Sequence, residues 1–209
     1  MESTRESPVL NEVDLAVSLS NLAGLISASG SHEEALTVAI EANSIYRRLS
    51  VVDNDKYEQF LAKSLDTLAN MRWGTGDHGG AVANASESVE LYRRLAAANS
   101  VAYTPDWATS LNNLANFQSE TGDREGALKT AREAVELYRK LAQANPAAYT
   151  PDWATSLNNL ANFQSETGDR EGALKTAREA VELRRKLVQA NPAAYTPDWV
   201  TRPTAVSML

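Results

Sequence analysis

Two histidines, a glycine-rich stretch and a ladder of aromatic rings are the residues of this sequence whose types could do chemistry. His32 and His78 lie 46 positions apart. An imidazole pair suggests a metal site or a general base, yet both stand at one position of a repeating pattern that Arg124 and Arg170 fill in later copies. The chain has no cysteine, and no carboxylate–histidine spacing recurs beside them, so they are read as solvated first-turn residues without a metal. Gly74, Gly76, Gly79 and Gly80 suggest a phosphate-cradling loop, but neither a preceding strand nor a following Gly-Lys-Ser/Thr supports it. Trp107, Trp153 and Trp199 recur with the same period, as do Tyr57, Tyr103, Tyr149 and Tyr195. Such rings can stack bases. Here 27 acidic residues face 20 Lys and Arg, and no basic cluster is present to neutralise phosphates. The rings are therefore assigned to packing where each helix begins, and nucleic acid is not an expected partner. Two histidines at equivalent loop positions leave no nucleophile–base pair. A non-catalytic chain without a cofactor is expected.

No apolar run approaches the ~18 residues needed to span a bilayer, so no membrane partner is expected. The opening MESTRESPVL has neither a basic region nor an apolar stretch, so no secretory signal is expected and a cytoplasmic location fits.

What positions these residues is a repeat of 46. Val101–Pro146 and Ala147–Pro192 differ at three of 46 positions: Val101/Ala147, Tyr138/Arg184 and Ala142/Val188. The period extends back into the diverged half through Gly30, Gly76, Gly122 and Gly168, and through Leu19, Leu65, Leu111 and Leu157. A period in this range means stacked supersecondary units, each touching its neighbours. The expected division is a tail over 1–10, four units over 11–54, 55–100, 101–146 and 147–192, and a degenerate fifth unit or tail over 193–209.

The third unit shows the physics of one copy. Thr104-Pro105-Asp106 supplies a hydroxyl for an N-cap, a proline for the first helical position and a carboxylate for the positive end of the dipole. Trp107, Leu111, Leu114, Ala115 and Phe117 follow on one helical face. Thr121-Gly122-Asp123 ends that helix with a left-handed glycine and an aspartate that caps the next. The second helix is expected over Arg124–Ala144, stopped by Asn145-Pro146. The unit is thus two antiparallel helices of unequal length. Small residues run in columns through the four units: Ala23/Ala69/Ala115/Ala161, Ala35/Ala81/Ala127/Ala173, and Ala42/Ser88/Ala134/Ala180. Helix axes that cross within 8–10 Å require small side chains there.

The string Leu111-Asn112-Asn113-Leu114-Ala115, then Gly122-Asp123, then Ala127-Leu128 and Ala134, resembles the tetratricopeptide repeat. More narrowly it resembles the long-repeat variety found in kinesin light chains and bacterial signalling proteins. Period alone would also suit HEAT or armadillo units of about 40–47 residues, but the Gly-Asp turn and the alanine columns match the tetratricopeptide pattern. The family's mid-helix aromatic is Gln118 here, its second-helix aromatic is Ala131, and its closing proline is displaced to Pro146. The resemblance implies an all-α, right-handed superhelical solenoid of four antiparallel helix pairs.

It also implies a non-catalytic module that binds a peptide or protein segment in a concave groove lined by the first helices. By resemblance the groove positions are Asn112, Asn113 and Asn116 in the third unit and Asn158, Asn159 and Asn162 in the fourth. Asn21 of the first unit matches Asn113, and Asn70 of the second matches Asn116. Asparagine carries donors and an acceptor in one side chain and so can grip backbone amides without charge. The same residues on a solvated face, or bonded between helices, would need no ligand. Trp73, in register with Ser119, is either an aromatic anchor in the groove or packing beneath the neighbouring turn. Charge is sparse, with Lys63, Asp66 and Arg72 in the second unit and Glu120 and Glu166 later. A neutral or mildly basic peptide fits best.

An alternative function is an assembly or spacer element, as part of a larger signalling protein. Pro203 falls where Leu111 and Leu157 stand in earlier units. The fourth second helix, with Leu174, Val181 and Leu187, is then either capped by Tyr195–Leu209 or joined to a second copy as a homodimer through the C-terminal face.

Overall fold

The computed structural model describes residues 6–190, with side chains from residue 11. The described residues form eight α-helices and no strand: α1 (Glu6–Ala28), α2 (His32–Val52), α3 (Asn54–Gly74), α4 (His78–Ala98), α5 (Ser100–Glu120), α6 (Arg124–Ala144), α7 (Pro146–Glu166) and α8 (Arg170–Ala190). In chain order these are the four expected pairs. α1 begins at Glu6, inside the stretch read as a tail, and the expected fifth unit or tail over 193–209 lies outside the described residues.

Where each first helix begins departs from the sequence reading. Pro105 and Pro151 lie inside α5 and α7, not at their first positions. The caps are Asn99 and Asn145, whose Oδ1 atoms accept from the backbone N–H of Ala102 and Ala148 at 3.2 and 3.3 Å; Asp53 does the same for Lys56 at 3.1 Å. Running the helix through Pro105 removes one bond, to the carbonyl of Val101. Val101 is 87% exposed, so water can satisfy that group. The gain is nearly a turn and a half of extra helix. First and second helices therefore match in length, 21 residues each from α2 onward, in place of the unequal pair. One residue in the β or near-β region joins each pair to the next: Asp53, Asn99 or Asn145.

Within a pair the turn is as the glycines demand. Gly30, Gly76, Gly122 and Gly168 have φ of 89, 85, 91 and 88°, a region that penalises any side chain with a Cβ. Asp123 and Asp169 then cap the second helices, their Oδ1 atoms accepting from the N–H of Gly126 and Gly172 at 2.9 Å. The cap carboxylates occupy the space that a Cβ would fill at those two glycines.

The chain divides into two compact units, Met1–Ala134 and Val135–Leu209, with the division inside α6. In the first, each of α1 to α4 packs on the helix that follows it; in the second, α7 packs on α8. The columns read from the sequence are buried throughout the first unit, and Leu65, Leu111 and Leu157 are core. Ala173 of α8 is half-buried. A cluster including Ala16, Tyr46, Leu65 and Tyr92 carries partly buried Tyr103 and Trp107 against it, which is the packing role expected of the periodic rings. Tyr195 and Trp199 lie outside the described residues.

Candidate functional site

α3 and α5 are the first helices of the second and third units, and the space between them is a groove of about 450 Å³. α3 contributes Gln59, Phe60, Lys63, Asp66, Thr67 and Asn70; α5 contributes Tyr103, Asp106, Thr109 and Asn113; Tyr92 of α4 reaches in from behind. Helical periodicity explains the set. Phe60, Lys63, Thr67 and Asn70 are three or four apart and so share one face of α3, as do Asp106, Thr109 and Asn113 on α5.

Asp66 is the unusual member. Burial pushes its carboxyl up to about 6, against the neighbouring Ser110 and Ser88 hydroxyls, which favour the charged form; the nearby Asp106 raises it further. Ser110 donates to its Oδ2, while Oδ1 is buried with no partner. Burial also raises Asp106, with Lys63 opposing. Tyr92 is held well above the usual phenol range by burial, and then by Asp106, Asp66 and Tyr103. Tyr103 donates its hydroxyl to Gln59 Oε1 at 3.2 Å across the groove.

Of the asparagines singled out in the sequence, Asn70 and Asn113 line this groove. Asn70 also donates to the carbonyl of Asp66 at 3.0 Å, one turn back on its own helix. Asn21 is exposed on α1. Asn112 and Asn116 are half-buried on α5. Asn158 and Asn159, half-buried, and Asn162, exposed, stand at the matching positions of α7, in the second compact unit. None of the nine candidate residues is buried. Trp73 is engaged in packing: its ring stacks with Phe117 at 4.7 Å and with His78 at 4.2 Å. His78 is thus a stacking partner and not merely a solvated side chain, and His32 lies against Gly74. Arg72 pairs with Asp77 at 2.6 Å, at the turn. Among the described residues no three His, Cys, Asp or Glu side chains gather as metal ligands, and no helix is long and apolar enough to cross a membrane.

The sequence reading missed a column of hydroxyls at Ser64, Ser110 and Ser156, all buried. Asn43 donates to Ser64 at 2.8 Å, Ser88 donates to the carbonyl of Ala62 at 3.0 Å, and Ser110 serves Asp66. The recurrence of serine every 46 residues was the available signal. It also missed Phe60, Tyr92 and Tyr103 as groove walls.

A family model described as Tetratricopeptide repeat matches residues 107–147 and 153–193. No curated protein matches the sequence. Among solved structures, BtubC (BKLC) from P. vanneervenii is similar with a TM-score of 0.68 at 20% identity, over 93% of this chain and 69% of that one. MamA has a TM-score of 0.59 at 14% identity, over 83% and 81%. Aspartyl phosphate phosphatase F from Bacillus subtilis has a TM-score of 0.68 at 12% identity, over 88% of this chain and 43% of its own. At these identities the likeness concerns the fold.

Proposed function

We propose a non-catalytic module that grips an extended peptide along its first helices, on the premise that residues 107–147 and 153–193 match the tetratricopeptide-repeat model. Such repeats generally mediate protein–protein interaction. The observation that carries the proposal is the groove itself: Asn70 and Asn113 come from different helices and line one cleft, with aromatic rings beside them. Paired amides can take both the N–H and the C=O of a peptide unit. Affinity capture from the native lysate tests this. The parent should retain a protein that Asn70→Ala/Asn113→Ala loses, with both chains equally folded. Identical captured sets would remove the reading.

A second reading, assembly through the C-terminal face, is supported by Leu174 and Val181, 54% and 46% exposed on α8. Exposed apolar side chains seven residues apart, on one helical face, favour association. The capping alternative involves residues 195–209, which lie outside the described residues.

A further inference from the structure

The groove between α3 and α5 is not chemically uniform, and its charged part selects a ligand. We propose that it seats the ammonium group of a lysine side chain, carried by an extended peptide, between Asp66 and Asp106. The inference rests on the peptide-groove reading and adds the side chain that the groove recognises.

The walls suit a cation on an apolar stem. Phe60, Tyr92 and Tyr103 line the same cleft as the two carboxylates. Aromatic faces attract a cation, and they also pack against the methylenes that carry it. An acceptor is left over as well. Asp66 Oδ2 takes the Ser110 hydroxyl, while Oδ1 is buried without a partner, and a buried acceptor is costly to leave unmatched. That arrangement favours lysine over arginine. The Ser110 hydroxyl already competes for one oxygen, which a compact ammonium making a single contact tolerates better than a planar guanidinium that gains most from both oxygens. Burial already disfavours the charged form of Asp66, and a cation beside it would draw the carboxyl back to ionisation.

The charges in the cleft leave room for an arriving cation. Lys63 lies near enough to Asp106 to favour its charged form, yet it is exposed and forms no salt bridge among the described residues. Two carboxylates therefore face one ammonium. The subsite is also particular to this groove. In register with Asp66, α5 and α7 carry Asn112 and Asn158; in register with Lys63 they carry Thr109 and Thr155.

The test pans a displayed library of random linear peptides on the full chain, then titrates the recovered peptide. Its partners are the parent, Asp66→Asn, Asp106→Asn and Asn113→Ala. Asp66→Asn installs the residue that α5 and α7 hold at this position, and circular dichroism verifies its fold; Asp106→Asn carries the test should that variant unfold. The recovered peptides should share one lysine, and either carboxylate change should weaken binding by about tenfold or more. Replacing that lysine with alanine should cost the parent at least as much, and cost Asp66→Asn clearly less, since only Asp106 then remains to meet the ammonium. Peptides that bind and depend on Asn113, but share no lysine and ignore both carboxylate changes, would overturn the subsite and leave the groove reading standing. Arginine serving equally well would overturn the single-point argument for lysine. Recovery of no peptide, or binding indifferent to Asn113, Asp66 and Asp106 alike, would overturn both readings.

Discussion

At the scale of single residues, the Asp66 carboxyl shows how environment alters chemistry within the groove. Its value of about 6 in the fold lies above the ordinary 3.8, so the folded chain holds that proton more tightly than the unfolded one. A carboxyl of this kind contributes most to stability below its unfolded value, and the contribution is lost as pH rises from about 4 through about 6. Asp106, Lys63, Tyr92 and Tyr103 are the other titratable groups of the groove, with Asp106 adding to the shift. Asp66→Asn should therefore gain on the parent as pH rises from about 4 to about 7, read as the difference between urea midpoints. A difference independent of pH would mean that the carboxyl titrates normally. The Asp123–Gly126 cap offers a second test. Alanine at Gly126 gains about 1 kcal/mol of helix propensity but intrudes on the cap, itself worth about 1 kcal/mol. Gly126→Ala should thus be near neutral in the parent and stabilising by about 1 kcal/mol in an Asp123→Ala background. Equal effects in both backgrounds would show that no steric conflict exists.

At the scale of elements, α5 separates core from groove within two residues. Leu111 is 1% exposed and Asn113 half-buried at the cleft. Leu111→Ala should cost about 2–5 kcal/mol in chemical denaturation, and Asn113→Ala should cost little or raise stability slightly through propensity. Equal, large losses would make the asparagine structural. Pro105 tests the price of a longer helix: Pro105→Gln installs the Gln59 of α3, restores the N–H to the Val101 carbonyl and forfeits some restriction of the unfolded chain. A net gain of about 1–2 kcal/mol is expected. A loss would mean that the proline conformation is required where α5 begins.

At the scale of the whole molecule, the exposed apolar side chains of α8 bear on association. Exposed Leu174 and Val181 on α8 should either leave the chain a monomer at all concentrations or join two copies. Light scattering on the parent and on Leu174→Glu/Val181→Glu decides it. A stable dimer in the parent that becomes monomeric in the variant supports assembly. A parent that stays monomeric as concentration rises removes that reading and leaves the peptide groove alone.

The helix pairs, their turns and their contact columns were legible in the sequence because each depends on local stereochemistry or on a small residue at a fixed interval. Gly122 had to be glycine for a φ of 91°, and Ala115 and Ala127 had to be small where helices cross. The start of α5 was misread because two capping signals compete along the chain, Asn99 and Thr104, and only the packed neighbours make the longer helix worth one lost hydrogen bond. The character of Asp66 was hidden for a related reason. It depends on burial and on Ser88, Ser110 and Asp106, which arrive from two other helices more than 20 residues away. Trp73 likewise had two readings until Phe117 of α5 came to lie against it at 4.7 Å. Periodicity sets which face a side chain occupies; the neighbours that desolvate, stack on or hydrogen-bond it are decided by the packing of other helices.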